Sequence, residues 1–300
     1  MAERHTWWRQ MPWHDPLGRV APVKLALFVA MWLPAVWMAL SFSSIDWMFP
    51  SPFVPLIYHS GLWATYLLLL SLAITPLRRI LEWGRAAQLR RMIGVAAFAY
   101  TLLHIVAWLG LRFWDWSALL MELLARPSLW VAALSAAGLL ALAATSFDSA
   151  MRRMGGLAWK NLHRMVYVLT FLAVLHFLMS PGSLQGAPFL MAGIYVWLMG
   201  WRLIERHRLG RNPGALALLG TVATLVTLFL QPLWLATFQS ERSTQAPLDA
   251  LAGNLDAAVW IYLGPPPVFV MATLSLLAVA AALPWRSIYS HRKYQSSHRR

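Results

Sequence analysis

The sequence predicts an all-α fold: a polytopic bundle of transmembrane helices with both termini in the cytoplasm. Three observations carry this reading. Over 300 residues, apolar side chains make up 59% and charged ones 12%, with a mean hydropathy of +0.56. A soluble domain carries about a quarter charged residues, so this chain cannot cover a water-facing surface. Apolar runs near the roughly 20 residues needed to cross a hydrocarbon core recur between short charged clusters. Finally, 22 of the 25 Lys and Arg lie in alternate clusters and only 3 in the intervening ones. Positive charge stays on the cytoplasmic side, so the span number is even.

Eight spans are expected in order: 25–42, 57–76, 93–111, 128–147, 165–180, 187–204, 214–236 and 261–284. Pro34 should kink the first rather than stop it, as membrane helices tolerate. The fifth is short and carries His176, and the sixth ends in a run of charges. Pro265, Pro266 and Pro267 form a rigid lead into the last. Trp7, Trp8 and Trp13, with Arg4 and Arg9, read as an interfacial segment whose rings lie at headgroup level, and Trp114 and Trp116 as its counterpart on the far side. The first apolar run starts after residue 24 without an A-x-A-like exit, so no cleaved signal peptide is expected. The chain divides into a cytoplasmic segment 1–24, a membrane core 25–210 and an extension 211–300 with two further helices and a basic tail.

Several function classes drop out. With no Cys, disulfides, thiolate nucleophiles, iron–sulfur clusters and thiolate zinc sites are excluded. The basic charge follows from topology, so the expected surroundings are membrane lipid and not nucleic acid. There is no G-x-G-x-x-G after a strand and no P-loop, so nucleotide chemistry would come from a partner.

Nine His remain to be weighed. His5, His14, His207, His291 and His298 lie in basic segments and read as solvated. His59, His104, His163 and His176 lie in or at the edges of apolar runs, where an ionisable residue is a functional candidate because burying it unpaired is costly. The bland alternative is a neutral imidazole bridging two helices. None of the 11 Asp and Glu falls inside an expected span, which argues against a proton-coupled transporter or a carboxylate metal site. Buried imidazoles without buried acids suit haem, and bis-imidazole iron favours electron transfer over oxygen binding.

Depth then selects a pair. At 1.5 Å per residue, His104 lies about 16 Å from the start of its span and His176 about 18 Å from Arg164. The two could clamp one haem. His163 lies roughly 20 Å from His176, a suitable offset for a second haem, but about 140° around an ideal helix from it. A π-bulge would reduce that angle. The third span has no His at the depth of His163, where Arg90 and Arg91 stand. His59, at the mouth of the second span, could be a spare ligand, a quinone contact or an interfacial side chain. Arg90, Arg91, Arg152, Arg153 and Arg164 read first as positive-inside anchors and second as contacts for haem propionates or a flavin phosphate. Tyr100, Trp108, Tyr167 and Phe177 should pack around a porphyrin or between helices.

The residues also carry a resemblance. His59-Ser60-Gly61 opens a helix ending Ile74-Thr75-Pro76-Leu77; Arg90-Arg91-Met92-Ile93-Gly94 precedes Leu103-His104; Arg126-Pro127-Ser128 follows. Leu142-Ala143-Ala144-Thr145-Ser146 and Trp159-Lys160-Asn161-Leu162-His163 complete the set, with Tyr167 and His176 beyond. In order and spacing these pieces resemble the MsrQ (YedZ) family, haem-binding membrane subunits of the bacterial periplasmic methionine-sulfoxide reductase system within the ferric-reductase-like transmembrane superfamily. The resemblance covers about half the chain, 59–206.

It implies a six-helix ferric-reductase-like core in the bacterial inner membrane, a b-type haem held by His104, His163 and His176 in some combination, and an associated FMN. It implies electrons drawn from the quinone pool and passed to a periplasmic molybdopterin subunit, which itself reduces methionine sulfoxide and so repairs oxidised envelope proteins. The two C-terminal helices lie outside it. Two other readings stay open: a partner-dependent ferric reductase, and a cofactor-free transporter or assembly factor in which the His only bridge helices.

Overall fold

The computed structural model describes residues 11–14, 18–43, 51–180, 186–238, 246–255 and 265–283. Arg4, His5, Trp7, Trp8, Arg9, His291 and His298 lie outside them. The described residues form helices α1 (Pro22–Ser43), α2 (Phe53–Ile80), α3 (Arg90–Leu111), α4 (Trp116–Ala125), α5 (Pro127–Ala144), α6 (Asp148–Met154), α7 (Gly156–His163) and α8 (Val166–Leu178). They continue with α9 (Ala187–Arg206), α10 (Pro213–Phe238), α11 (Ala246–Leu255) and α12 (Pro267–Ala282), and a 3₁₀ turn, Gly84–Leu89, leads into α3. Among the described residues seven helical segments are long and apolar enough to cross a membrane, α7 and α8 counting as one segment, Gly156–Leu178. The chain is a multi-pass membrane protein.

The differences from the expected spans have physical causes. Pro34, Pro76 and Pro232 all lie inside continuous helices. A proline expected to close α2 at residue 76 therefore does not stop it before Ile80; proline in a membrane helix leaves backbone groups that neighbours and local adjustments satisfy. The eighth expected span is the 16-residue α12, about 24 Å long at the helical rise, because Pro265 and Pro266 keep its start from extending backwards. The expected cytoplasmic segment 148–164 is mostly helical. Gly155, at φ 76°, makes the corner between α6 and α7 that a residue with a Cβ adopts only with strain.

Two compact units are present. The first comprises Met1–Ile74 and Arg85–Met191. Its core gathers Met31 and Met38 of α1, Ala64, Leu67 and Leu68 of α2, Ile93, Ala97 and Tyr100 of α3, Leu139 and Leu142 of α5 and Leu169 of α8. Close approach is achieved with small residues, as membrane helices require: a Cβ on Gly138 of α5 would stand 2.3 Å from Leu169 Cδ2, and Ser135 Oγ donates to the Leu169 carbonyl at 3.1 Å. Tyr100 Oη donates to the Met31 carbonyl at 2.7 Å, so this tyrosine ties α3 to α1. Apolar side chains such as Leu33, Leu40, Leu134 and Leu140 point outward, as a bilayer permits. In α4, Glu122 takes Arg112 Nη2 at 2.7 Å and Arg126 Nη1 at 2.9 Å, holding the hairpin between α3 and α5.

The second unit comprises Thr75–Gly84 and Ala192–Arg300. Buried Trp201 of α9 packs with Ile80, Leu216 and Leu219. Here too glycine sets the spacing, since a Cβ on Gly220 of α10 would meet Ser275 Cβ of α12 at 2.6 Å.

Candidate functional site

His104 and His176 come together inside the first unit. Their ring centroids are 6.3 Å apart and the rings are nearly perpendicular, at 82°. His104 projects from the middle of α3 and His176 from the last turn of α8. Each is oriented by a backbone carbonyl on a third helix. His104 Nδ1 lies 2.8 Å from the Ile57 carbonyl of α2, and His176 Nδ1 lies 2.9 Å from the Ser128 carbonyl in the first turn of α5. A carbonyl can only accept, so each Nδ1 carries the proton and each Nε2 keeps its lone pair. Among the described residues neither Nε2 has a hydrogen-bond partner.

Gly61 completes the seat of His104. A Cβ there would stand 2.9 Å from Nδ1 and 3.0 Å from Cε1 of the imidazole. The ring therefore lies directly on the α2 backbone one turn beyond its Ile57 acceptor. Ser60, fully buried, turns its hydroxyl onto the Leu56 carbonyl at 2.6 Å, so its polar group is satisfied within α2.

His163 is held differently. Its Nδ1 lies 3.1 Å from the Trp159 carbonyl one turn earlier, and its ring stacks on the Trp159 indole at 3.9 Å. Its Nε2 is buried with no partner among the described residues. No ring contact joins it to His104 or His176 among those residues. The helix between His163 and His176 does break, but not as a π-bulge. Met165 N–H bonds the Leu162 carbonyl at 3.0 Å and Tyr167 N–H the Arg164 carbonyl at 3.2 Å, which is 3₁₀-type tightening. A 3₁₀ residue advances about 120° instead of 100°, so the break alters the angle between the two imidazoles by over-winding.

His59 stays apart from the central pair, edge-on to Trp37 at 4.7 Å and to Tyr58 at 5.1 Å. Tyr58 in turn meets Phe177 at 6.0 Å. Of the arginines at the basic edge, Arg91 is ion-paired with Asp148, and Arg152 and Arg153 occupy the last turn of α6.

The donor set can be tested against a metal group. Among the described residues no cluster of three or more His, Cys, Asp or Glu could hold a bare ion, so any metal here needs most of its ligands from elsewhere. Two axial imidazoles leave the equatorial positions to a macrocycle. An imidazole nitrogen binds a metal at about 2 Å, so two rings across one iron have centres about 6 Å apart. The observed spacing and the paired Nδ1 anchors fit haem.

Sequence reasoning quoted Gly61 and Trp159 only as pieces of the family resemblance and missed their roles, together with the Ile57 and Ser128 carbonyls. Both side-chain positions had a signal, Gly61 two positions beyond His59 and Trp159 one helical turn before His163. A backbone acceptor carries none, because every residue has one.

A family described as "Ferric reductase like transmembrane component" matches residues 60–174, a stretch that holds His104 and His163 and ends two residues before His176. The chain is 37% identical over 193 residues to the protein-methionine-sulfoxide reductase heme-binding subunit MsrQ of Azospira oryzae, covering 64% of this chain and 82% of that protein. It is 36% identical over 203 residues to the subunit of the same name from Rhodospirillum rubrum, covering 66% and 95%. For that of Caulobacter vibrioides the figures are 36% over 202 residues, 65% and 96%. No solved structure matches the chain. With relatives of one name at 36–37% identity covered over 82–96% of their length, the chain belongs to the MsrQ family of ferric-reductase-like membrane proteins.

Proposed function

We propose that this protein is a haem-binding electron-transfer subunit of the bacterial inner membrane, in which His104 and His176 would hold a b-type haem. The pair of imidazoles 6.3 Å apart, each with its Nδ1 on a backbone carbonyl, supports this reading above all else. The haem supplies a reversible one-electron couple. The chain's own residues do the rest. The Ile57 and Ser128 carbonyls fix the imidazole tautomers and ring directions, and hydrogen bonding at Nδ1 makes Nε2 a better donor. Gly61 allows the His104 ring to seat, and the apolar helices around it exclude water.

The orphaned Nε2 of His163 supports a role for that residue as ligand to a second haem. His59, ringed by Trp37 and Tyr58, is the weakest candidate ligand. In keeping with the names of its relatives, the subunit serves a methionine-sulfoxide reductase; that its electrons come from the quinone pool and that the partner is a periplasmic molybdopterin enzyme rest on the family resemblance. An FMN rests on the family resemblance alone. In this reading residues 25–210 carry the cofactor and 211–300 are accessory, and the sulfoxide chemistry belongs to the partner.

The test is a dithionite-reduced minus oxidised spectrum of the purified protein with a haem count per chain. A sharp b-type band with at least one haem is expected. His104→Ala and His176→Ala should each abolish the band of the shared haem. A colourless wild-type protein, folded and made with ample haem, would remove the redox reading and leave the His as helix-bridging groups.

A further inference from the structure

We infer that a cleft at the end of α9 in the second unit binds the phosphate of a membrane lipid headgroup. The cleft, of about 460 Å³, is lined by Arg79, Glu205, Arg206, Arg208 and Arg211. It lies where the last turn of α2, the last turn of α9 and the loop into α10 meet, at the ends of three helices apolar enough to span the bilayer. That is the level at which lipid phosphates lie.

Its charges are arranged rather than merely clustered. Arg79 Nε stands 3.4 Å from Glu205 Oε1, and Arg211 Nη1 stands 2.6 Å from Glu82 Oε1. Each carboxylate holds one guanidinium. Among the described residues Arg206 and Arg208 have no ion pair. Four guanidiniums against two carboxylates leave an excess of two positive charges, the complement of a phosphate, and Arg recognises phosphate oxygens through its planar fork of donors.

The loop backbone singles out Arg208. α9 ends with the Leu209 N–H on the Ile204 carbonyl at 3.0 Å and the Arg208 N–H on the Glu205 carbonyl at 2.9 Å, with Arg208 at φ 60°. This is the Schellman pattern, whose left-handed position ordinarily falls to glycine. Here it carries an arginine, which adopts that backbone only against steric strain. Gly210 follows, where a Cβ would stand 2.2 Å from Glu205 Oε2, and its carbonyl is fastened by Trp201 Nε1 at 3.0 Å. The loop is thus anchored on a buried tryptophan, and its strained residue is the one that places a guanidinium on the cleft. Positive-inside sorting by itself needs charge on this side of the membrane, not an arginine at a glycine's position.

The experiment uses the full-length protein in phosphatidylcholine nanodiscs, alone, with phosphatidylglycerol added to the bilayer, or with inorganic phosphate in the buffer. It reads the thermal midpoint and, by native mass spectrometry, the lipid retained per chain. Phosphatidylglycerol should raise the midpoint of the wild type, while inorganic phosphate should not. Arg208→Gly should match or exceed the wild type in phosphatidylcholine alone, because its strain is relieved, yet bind phosphatidylglycerol about tenfold more weakly, as expected for losing one charge-assisted contact. Arg206→Gln should weaken it likewise and provides the test should Arg208→Gly not fold. An undiminished response in both variants, or no response in the wild type, overturns the proposal. Stabilisation by inorganic phosphate equal to that by the lipid would keep the phosphate site and overturn the lipid as its source.

Discussion

Gly61 tests most cleanly whether the central imidazoles are positioned for a ligand. Its replacement by Ala adds one carbon, 2.9 Å from His104 Nδ1, closer than a Cβ can stand. The ring must move, and its bond to Ile57 is lost or bent. Gly61→Ala should therefore leave a folded helical protein whose reduced-minus-oxidised spectrum is weakened or shifted, with haem content reduced several-fold. An unchanged spectrum and full haem content would show that the seat of His104 does not matter. Ile57 and Ser128 cannot be probed this way, because their contribution is backbone. That is also why side-chain identity along the sequence pointed to His104 and His176 but not to what orients them.

At the scale of the helix, two contacts are open to measurement. Gly138→Ala would place a Cβ 2.3 Å from Leu169 Cδ2. Relief needs either a displaced leucine or a wider α5–α8 spacing, which would also stretch the Ser135 bond to the Leu169 carbonyl. Overpacking of this kind costs about 1–3 kcal/mol, to be read as a lower unfolding midpoint in detergent. The second contact is the cap of α4. Asp115 accepts from the Ser117 hydroxyl at 2.6 Å and from the Ser117 and Ala118 amides. The hydroxyl first, then the Ala118 amide, hold its carboxyl below the usual carboxylate range.

A depressed folded-state pKa adds stability that is present above the unfolded value and lost as pH falls through the folded one. Acid should therefore loosen α4. Amide protection across Ser117–Leu120 should drop at acid pH relative to Asp115→Asn, which retains an acceptor that does not titrate. Equal acid sensitivity in the two proteins would show that the cap is not the cause.

For the molecule as a whole, the orientation in the bilayer is the open expectation, and the lack of native Cys makes it directly accessible. A single Cys at Ala118, between α3 and α5, should react with a membrane-impermeant maleimide added outside spheroplasts. A single Cys at Ser297 should react only after permeabilisation. The opposite pattern would invert the topology. The segregation of 22 basic residues from 3 decides this expectation, since moving so many charges across the membrane is opposed by the rule that sets orientation.

Membrane insertion, the order of the apolar helices and the shared level of His104 and His176 were legible in the residues. Each depends on local composition or on axial distance along one helix, and both quantities are linear in sequence. The helix through Pro76, the short α6 and α7 before His163, and the reach of α12 were not. Whether a proline stops a helix or is absorbed by it depends on what packs against the freed carbonyl. The same holds within the site. Depth along α3 and α8 is set by the helical rise, so the sequence by itself determined that two imidazoles could share a level. That their rings meet nearly perpendicular with centroids 6.3 Å apart, that Ile57 and Ser128 hold them, and that Gly61 makes room only the tertiary structure decided. Those properties belong to azimuth and close approach between helices, which no spacing along one chain encodes.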